Sequence, residues 1–348
     1  MNRLRDRDSI ITSEGIIFRV YGYSHPMEGY ICDPEYAPSG IYSSDNPRAF
    51  REGRTRTYFK FFEHDGLMFI LERYPQYQVY VKPLNRRMVG VPSDLMQYTT
   101  RPQMALQRLL EHPERDELSS SLNELIKILC SQSTLTPLDF GVFGSLQHGF
   151  YHPQYSDIDL VVFGRNATKK LVKLLNDLYR SSDFLTNEFE NPQTKRSWIF
   201  QNYTYQQYIQ HQREKLVYGI LHRNAWKRKF EFEPVRLYNE IRDKYKQTLQ
   251  IEPRGWIKVK ARITDDTESF FMPSVYDVNL EEILKGPKKY DVKKVVSFME
   301  EFRMQSRKDD IVIIEGNLEE VITENEQFSQ ITLTYGERYY EQAMFVID

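Results

Sequence analysis

The chain has 348 residues, enough for two or three cores, and its 24 Tyr and 21 Phe exclude a disordered polymer. Its 47 basic and 49 acidic side chains nearly cancel, so a polyanion contact has to come from a local patch rather than from overall charge. Cys32 and Cys130 form no CxxC pair, which excludes a zinc knuckle or a redox motif; the charged opening MNRLRDRDSI and the short apolar runs point to a soluble cytoplasmic protein with no signal peptide or membrane span.

Residues 1 to about 100 read as a β-rich domain. Ile16–Tyr23, Thr55–Phe62 and Tyr77–Lys82 are strand-like, and Asp65-Gly66 predicts a hairpin turn between Thr55–Phe62 and Leu67–Leu71. The Pro-, Gly- and Ser-rich stretch Ser24–Pro47 predicts a long ordered loop. Helical spacing then begins. Thr100 and Pro102 open one helix with Met104, Leu106, Leu109 and Leu110 on its apolar face. Leu118, Leu122, Leu125, Ile126 and Leu129 mark a second over Asp116–Cys130. A strand is expected over Leu138–Phe143 and a doubly buried one over Ile158–Phe163. An amphipathic helix capped by Asn166 or Thr168 runs to about Tyr179, a polar and aromatic helix covers Tyr203–Leu221, and Lys229–Leu237 is a further strand. From about residue 251 seven short apolar segments, from Trp256–Ile263 to Met344–Ile347, predict a small closed barrel.

The chemistry concentrates in FGVFGSLQHGFYHPQYSDIDLVVFG, residues 140–164. Glycine at Gly144 lets a strand end turn sharply and leaves room for a ligand, and Ser145 is placed to cap a helical turn whose free N–H groups suit a phosphate. Asp157 and Asp159 stand two apart at the start of a strand, so both carboxylates share one face. At roughly 6 Å and an effective dielectric near 20, two such charges repel by about 3 kcal/mol. A protonated carboxyl, screening water or a bound cation relieves that repulsion. Hard oxygen donors of this kind suit Mg²⁺ or Mn²⁺ shared with the phosphates of a nucleoside triphosphate.

In these residues the chain resembles the DNA polymerase β-like nucleotidyltransferase superfamily. Phe143-Gly144-Ser145 is similar to its glycine-serine corner, and Asp157-Ile158-Asp159-Leu160 to its Asp-hydrophobic-Asp strand. Gly149, Pro153 and Ser156 also stand where many minimal members carry those residues. The resemblance implies metal binding by Asp157 and Asp159, triphosphate binding by Gly144 and Ser145, and a third carboxylate from a later strand, for which Glu231 and Glu233 are the candidates. His148 stands near the position where minimal members often have an arginine that meets phosphate. The layout, with β-rich flanks, also resembles uncharacterised archaeal nucleotidyltransferases of predicted activity. The expected fold is therefore α+β: a β-rich N-terminal domain (1–100), a nucleotidyltransferase core with a short mixed sheet and helices (101–250), and a small β-barrel (251–348).

The remaining features read more plainly. His148 and His152 are four apart, but Gly149 and Pro153 break any helix between them, so they read as loop residues beside the substrate; His25, His64, His112, His211 and His222 form no ligand set. Arg48, Arg51, Arg54, Arg56 and Lys60 with Phe50, Tyr58, Phe59 and Phe61 form one basic and aromatic stretch; Arg213, Lys215, Arg223, Lys227, Arg228 and Lys229 around Trp226 form another. Either fits an RNA or nucleotide contact, or a solvated face over a core. The expected reaction is transfer of a nucleoside monophosphate to a hydroxyl of an RNA, a protein or a small molecule, with release of pyrophosphate. The rival is a catalytically weak or inactive protein of the same fold that binds RNA or a protein partner.

Overall fold

Short β-branched and aromatic runs and longer stretches with helical spacing alternate along the chain, and the computed structural model turns them into nineteen strands and six α-helices among the described residues. Those residues are 3–53, 55–111, 116–191, 198–223, 226–242, 245–336 and 338–347, with only the backbone of Trp226. Arg54 and His112 lie outside them. The contacts divide the chain into two compact units, one of residues 1–81, 85–186 and 219–243, the other of residues 82–84, 187–218 and 244–348. Unit 1 holds most of residues 1–100 with residues 101–186 and 219–243, whereas 187–218 fall in unit 2.

Unit 1 starts with β1 (Ser9–Ile11), β2 (Ile17–Val20), β3 (Gly29–Pro38), β4 (Phe50–Glu52), β5 (Thr57–Lys60), helix α1 (Asp65–Arg73), β6 (Gln78–Val81), β7 (Arg86–Pro92) and β8 (Tyr98–Thr100). The strands form one sheet in the order β4-β5-β3-β2-β1-β8, with β7 on β3 and β6 on β7. Two expectations are corrected here. The long loop expected over Ser24–Pro47 contains the ten-residue β3. Its Pro34 is accommodated where the register against β2 slips between Ile17 and Phe18, a place where a missing N–H costs no ladder bond. The hairpin expected at Asp65-Gly66 is instead the start of α1, which buries Gly66 and Ile70 one turn apart. Gly66 lets the helix approach β3: a Cβ there would lie 2.9 Å from Pro34.

Helices α2 (Pro102–Glu111) and α3 (Glu117–Ser131) follow, then β9 (Phe140–Val142), the five-residue α4 (Gly144–His148), β10 (Ile158–Phe163), α5 (Arg165–Ser181), β11 (Leu185–Asn187), α6 (Tyr205–Lys215), β12 (Tyr218–Arg223) and β13 (Trp226–Val235). Asp116 caps α3 by accepting from the Ser119 N–H at 2.8 Å, as the sequence pattern requires. The mixed sheet runs β11-β12-β13-β10-β9, with β10 parallel to β13 and antiparallel to β9. Ile158, Leu160, Phe230 and Phe232 form its buried apolar side, and α5 buries Leu171, Leu175 and Leu178. Expected bounds shift at two helices. α5 begins at Arg165 with Gly164 as its N-cap, so Asn166 and Thr168 lie inside it. α6 stops at Lys215 because Leu216 turns left-handed, and Tyr218–Leu221 belongs to β12. Met104, expected on the apolar face of α2, is largely exposed, and Pro102, Ala105 and Leu106 are the buried side.

Unit 2 holds α6 and β14 (Thr248–Glu268), β15 (Ser274–Lys285), β16 (Val292–Ser297), β17 (Ile311–Thr323), β18 (Gln327–Leu333) and β19 (Ala343–Val346). The segments expected as separate strands at Ile311–Glu315 and Leu318–Thr323 are one strand, β17. Pairings run β14-β15-β16-β18-β17 and return from β17 to β14, with β19 added on β17. Inside lie Ile257, Val259, Ala261, Tyr276, Val295, Ile314 and Ile331, joined by Phe200 and Tyr203 from the segment that leads into α6.

Candidate active site

The site is built at the end of β9. Phe143 donates its N–H to the Asp159 carbonyl at 3.0 Å, which ties the corner to β10. Gly144 follows with φ +60, a left-handed conformation that disfavours any side chain. A Cβ at Gly144 would lie 2.9 Å from Asp159 Oδ2. Glycine is therefore required on two counts: the backbone turn and the passage of α4 directly against a carboxylate. Ser145 does not cap α4, contrary to the sequence expectation. The helix starts one residue earlier, so Ser145 is buried inside it, and its carbonyl accepts from the Phe150 N–H at 3.2 Å.

Asp157 is exposed just ahead of β10, and Asp159 is its second residue. Part of Asp159 stays open to solvent, yet the carboxyl is enclosed enough for burial to dominate its protonation. Burial, opposed by Lys60 and reinforced by Asp157 and Glu35, raises it to about 7. A buried acid crowded by two others is the electrostatic situation in which a cation is most strongly favoured.

Strand register separates the two candidate glutamates. Asp159 lies opposite Glu231 and Val161 opposite Glu233 in the parallel ladder. Paired residues on adjacent strands project from the same side of a sheet, so Glu231 flanks Asp159 and Glu233 sits one pleat deeper. Glu233 is 2% exposed and is ion-paired with Arg7 at 2.7 Å. Among the described residues no group of three or more His, Cys, Asp or Glu is assembled closely enough to hold a metal ion.

Residues 122–221 match the family model described as a nucleotidyltransferase domain. The matched stretch contains the glycine corner and both aspartates, and ends before β13. The chain is also 26% identical over 338 residues to an uncharacterised protein of Methanocaldococcus jannaschii, spanning 95% of each. No solved structure matches it. Among the described residues no helix is long and apolar enough to cross a membrane.

Arg228, on the strand that follows the matched stretch, supports the loop that carries Asp157. Its guanidinium donates to the carbonyls of Pro153, Gln154 and Ser156 at 3.0, 2.8 and 3.1 Å, and pairs with Glu117 at 2.7 Å. The sequence carried a signal for this: Arg228 has the same parity as the buried Phe230 and Phe232 and is itself 4% exposed. Its neighbours in the second basic stretch are also engaged internally. Lys215 is buried and donates to the Glu300 and Glu301 carbonyls, and Arg223 pairs with Glu124. Lys227 and Lys229 stay exposed.

The other contributor that sequence reasoning passed over is the opening Arg5-Asp6-Arg7-Asp8, at most 2% exposed throughout. Asp6 accepts from the Gly22 N–H at 2.8 Å, Asp8 from the Arg5 N–H at 3.1 Å, and Arg5 donates to the Arg236 carbonyl at 2.8 Å. Arg5 and Arg7 also lie over the rings of Phe163 and Phe143. This buried ionic segment holds the Asp159 side of the β11-β12-β13-β10-β9 sheet.

His148 occupies the far end of α4 and packs against Tyr36 and Phe150 with ring centroids 5.9 and 5.4 Å away. Burial, with Arg108 nearby, lowers its pKa to about 3, so the imidazole is neutral near pH 7 and brings no charge to a phosphate. From His148 a cavity of about 440 Å³ opens, whose lining includes Arg56, Tyr58, Tyr98, Arg108 and Phe150. His152 turns instead toward Tyr155 and accepts from the Gln154 N–H.

Proposed function

We propose that the nucleotidyltransferase domain moves a nucleoside monophosphate from a nucleoside triphosphate to a hydroxyl acceptor. The observation that carries this reading is Asp159 lying against a glycine corner whose left-handed turn and close approach both disfavour a side chain. Asp157 and Asp159 suit Mg²⁺ or Mn²⁺, because such an ion commonly takes one or two carboxylates and completes its shell with substrate phosphates and water. That donor set accommodates the missing three-carboxylate cluster. When bound, the ion would neutralise the triphosphate and the departing pyrophosphate.

The chain's own groups do the rest. Gly144 brings the backbone of α4 against Asp159, the carboxylate that would hold the ion and with it the phosphates. Arg228 holds the backbone ahead of Asp157, which fixes that carboxylate. Glu231, in register with Asp159, is the acceptor-side base; Glu233 is withdrawn by Arg7. The acceptor oxygen bonds to the α-phosphorus, the α–β phosphoanhydride bond breaks, pyrophosphate leaves with the bond electrons, and the hydroxyl proton passes to Glu231. Positioning and charge stabilisation account for such a reaction. In the same reading, the returning strand circuit of unit 2 closes as a small barrel, and the protein is cytoplasmic.

The test is pyrophosphate release from labelled nucleoside triphosphates with Mg²⁺ or Mn²⁺ and RNA, protein or small-molecule acceptors. Asp157→Asn and Asp159→Asn should each remove transfer while leaving the melting curve cooperative; undiminished transfer in both would refute the assignment. Among the described residues no three-carboxylate group is assembled, and this favours one alternative, a nucleotide-binding protein without turnover. Stabilisation of the fold by a triphosphate with no pyrophosphate release under any of these conditions would select it.

A further inference from the structure

The cavity beyond His148 carries charge that the transfer reaction does not use. Arg56 and Arg108 both line it, and neither guanidinium has a hydrogen-bond or ion-pair partner among the described residues. One wall is aromatic: Tyr58 and Phe150 lie 5.1 Å apart at 35°, and His148 stacks on Phe150 at 23°. Tyr98, 55% exposed, stands at the opening. The volume, about 440 Å³, falls within the range of small-molecule pockets.

Its position is set by two short elements. α4 begins at Gly144, against Asp159, and ends at His148, on the cavity; four residues of helix separate them by about 6 Å. On β5, Lys60 acts electrostatically on Asp159, while Tyr58, two residues back and therefore on the same face, lines the cavity. The cavity is thus next to the carboxylates, one helical turn away.

We infer that this cavity is the acceptor subsite, and that it takes a nucleotide unit: a planar base against the wall of Tyr58, Phe150 and His148, and a phosphate at Arg56 and Arg108. The inference rests on the transferase reading and adds the substrate class. The charge decides between the two ends of the reaction. The donor's triphosphate belongs at Gly144 and Asp159, and the base and ribose that remain of the donor are uncharged. Arg56 and Arg108 are both exposed on this one cavity, so their guanidiniums can meet a second anion, which a nucleotide acceptor brings and the nucleoside end of the donor does not. The neutral imidazole of His148 suits stacking on a base. The same unit is present in a free nucleoside monophosphate and at the end of an RNA chain.

The experiment is calorimetric titration of the full chain with AMP, CMP, GMP and UMP, with adenosine, and with a short 5′-phosphorylated oligoribonucleotide, all without divalent metal. At least one monophosphate should bind, and adenosine should bind at least about tenfold more weakly than AMP if AMP is the preferred base, since it lacks the charge-assisted bonds. Arg56→Ala and Arg108→Ala should each weaken monophosphate binding by about tenfold with unchanged melting curves. Tyr58→Leu, which keeps an apolar wall but removes the ring, should weaken it by a smaller factor. Tighter binding of the oligonucleotide identifies an RNA end as the source; equal or weaker binding identifies the free nucleotide. Asp159→Asn separates this inference from the transferase reading: it should keep monophosphate binding and lose pyrophosphate release. Transfer that survives Asp159→Asn, with binding still dependent on Arg108, would remove the catalytic reading and leave the nucleotide site. Failure of all four monophosphates to bind, indifference to both arginine substitutions, or competitive displacement of the monophosphate by a metal-bound triphosphate would overturn the acceptor assignment.

Discussion

Single residues in unit 1 hold charge where water is scarce, and their protonation follows from that. Asp8 is buried beside Arg5, yet desolvation outweighs the Arg5 N–H bond and the charges of Arg5 and Arg101, and its carboxyl rises from 3.8 to about 7. Asp159 moves the same way. Between about pH 4 and pH 7 the folded chain therefore keeps protons that the unfolded chain has released. Stability from these groups is fully present below the unfolded value and is lost as pH rises through the folded one. The metal-free protein is expected to show a falling melting temperature across that window, with a shallower fall in Asp8→Asn, whose amide mimics the protonated acid and can still accept from Arg5. Thermal melts at stepped pH check this; a flat wild-type profile, or an identical slope in the variant, would contradict it. Glu233 is held at the same scale by a buried ion pair with Arg7. Removing Arg7 would leave a deeply buried carboxylate without its ion-pair partner, a loss commonly worth about 3–5 kcal/mol.

At the scale of elements, strand parity sorts the side chains of β13. Arg228, Phe230 and Phe232 share one side; Glu231 and Glu233 share the other. The parallel ladder with β10 then sets Glu231 beside Asp159. One strand thus supplies both the proposed base and, through Arg228, the support for the Asp157 loop. Arg228→Ala should lower kcat for transfer far more than it changes KM for the triphosphate, because it releases the carbonyls of residues 153, 154 and 156 without touching substrate. A stability loss of about 2 kcal/mol should accompany it, from carbonyls and a carboxylate left short of donors. Arg228→Lys, which keeps the charge but not the fork, should recover stability better than kcat. Steady-state kinetics with urea unfolding would decide the matter, and an unchanged kcat would remove Arg228 from the positioning role.

For the whole molecule, sequence proximity is a poor guide to what folds together. Unit 2 draws residues 187–218 into a core otherwise made after residue 244. Phe200 and Tyr203 pack on Phe302 with ring centroids 6.1 and 5.5 Å away, and Lys215 donates to the carbonyls of Glu300 and Glu301. A fragment of residues 245–348 therefore exposes apolar surface that these groups cover in the full chain. It should melt without cooperativity, and a peptide of residues 198–218 supplied in trans should restore a transition. Phe200→Ala in the full chain should cost about 3–5 kcal/mol, the usual price of emptying a large aromatic site. A fragment that melts as sharply as the full chain would show that residues 198–218 are dispensable.

Local periodicity made β10 and α3 readable from the chain alone, because a period of two and the helical spacing of Leu118, Leu122, Leu125 and Leu129 express their physics within a few residues. The ten-residue β3 was hidden by its prolines, and α1 by an Asp-Gly pair that also suits a helix start; in both, the deciding contact is with a distant segment. The ionic opening at residues 5–8 was legible only as charged, for the same reason. Its partners, Gly22, Glu233 and the Arg236 carbonyl, are remote in the chain, and their convergence makes burial of four ionisable side chains tolerable. Composition and spacing determined which side chains could do chemistry. Tertiary structure decided where they stand, since burial and ion pairing commit Glu233 and Arg228 to the fold and strand register sets Glu231 opposite Asp159.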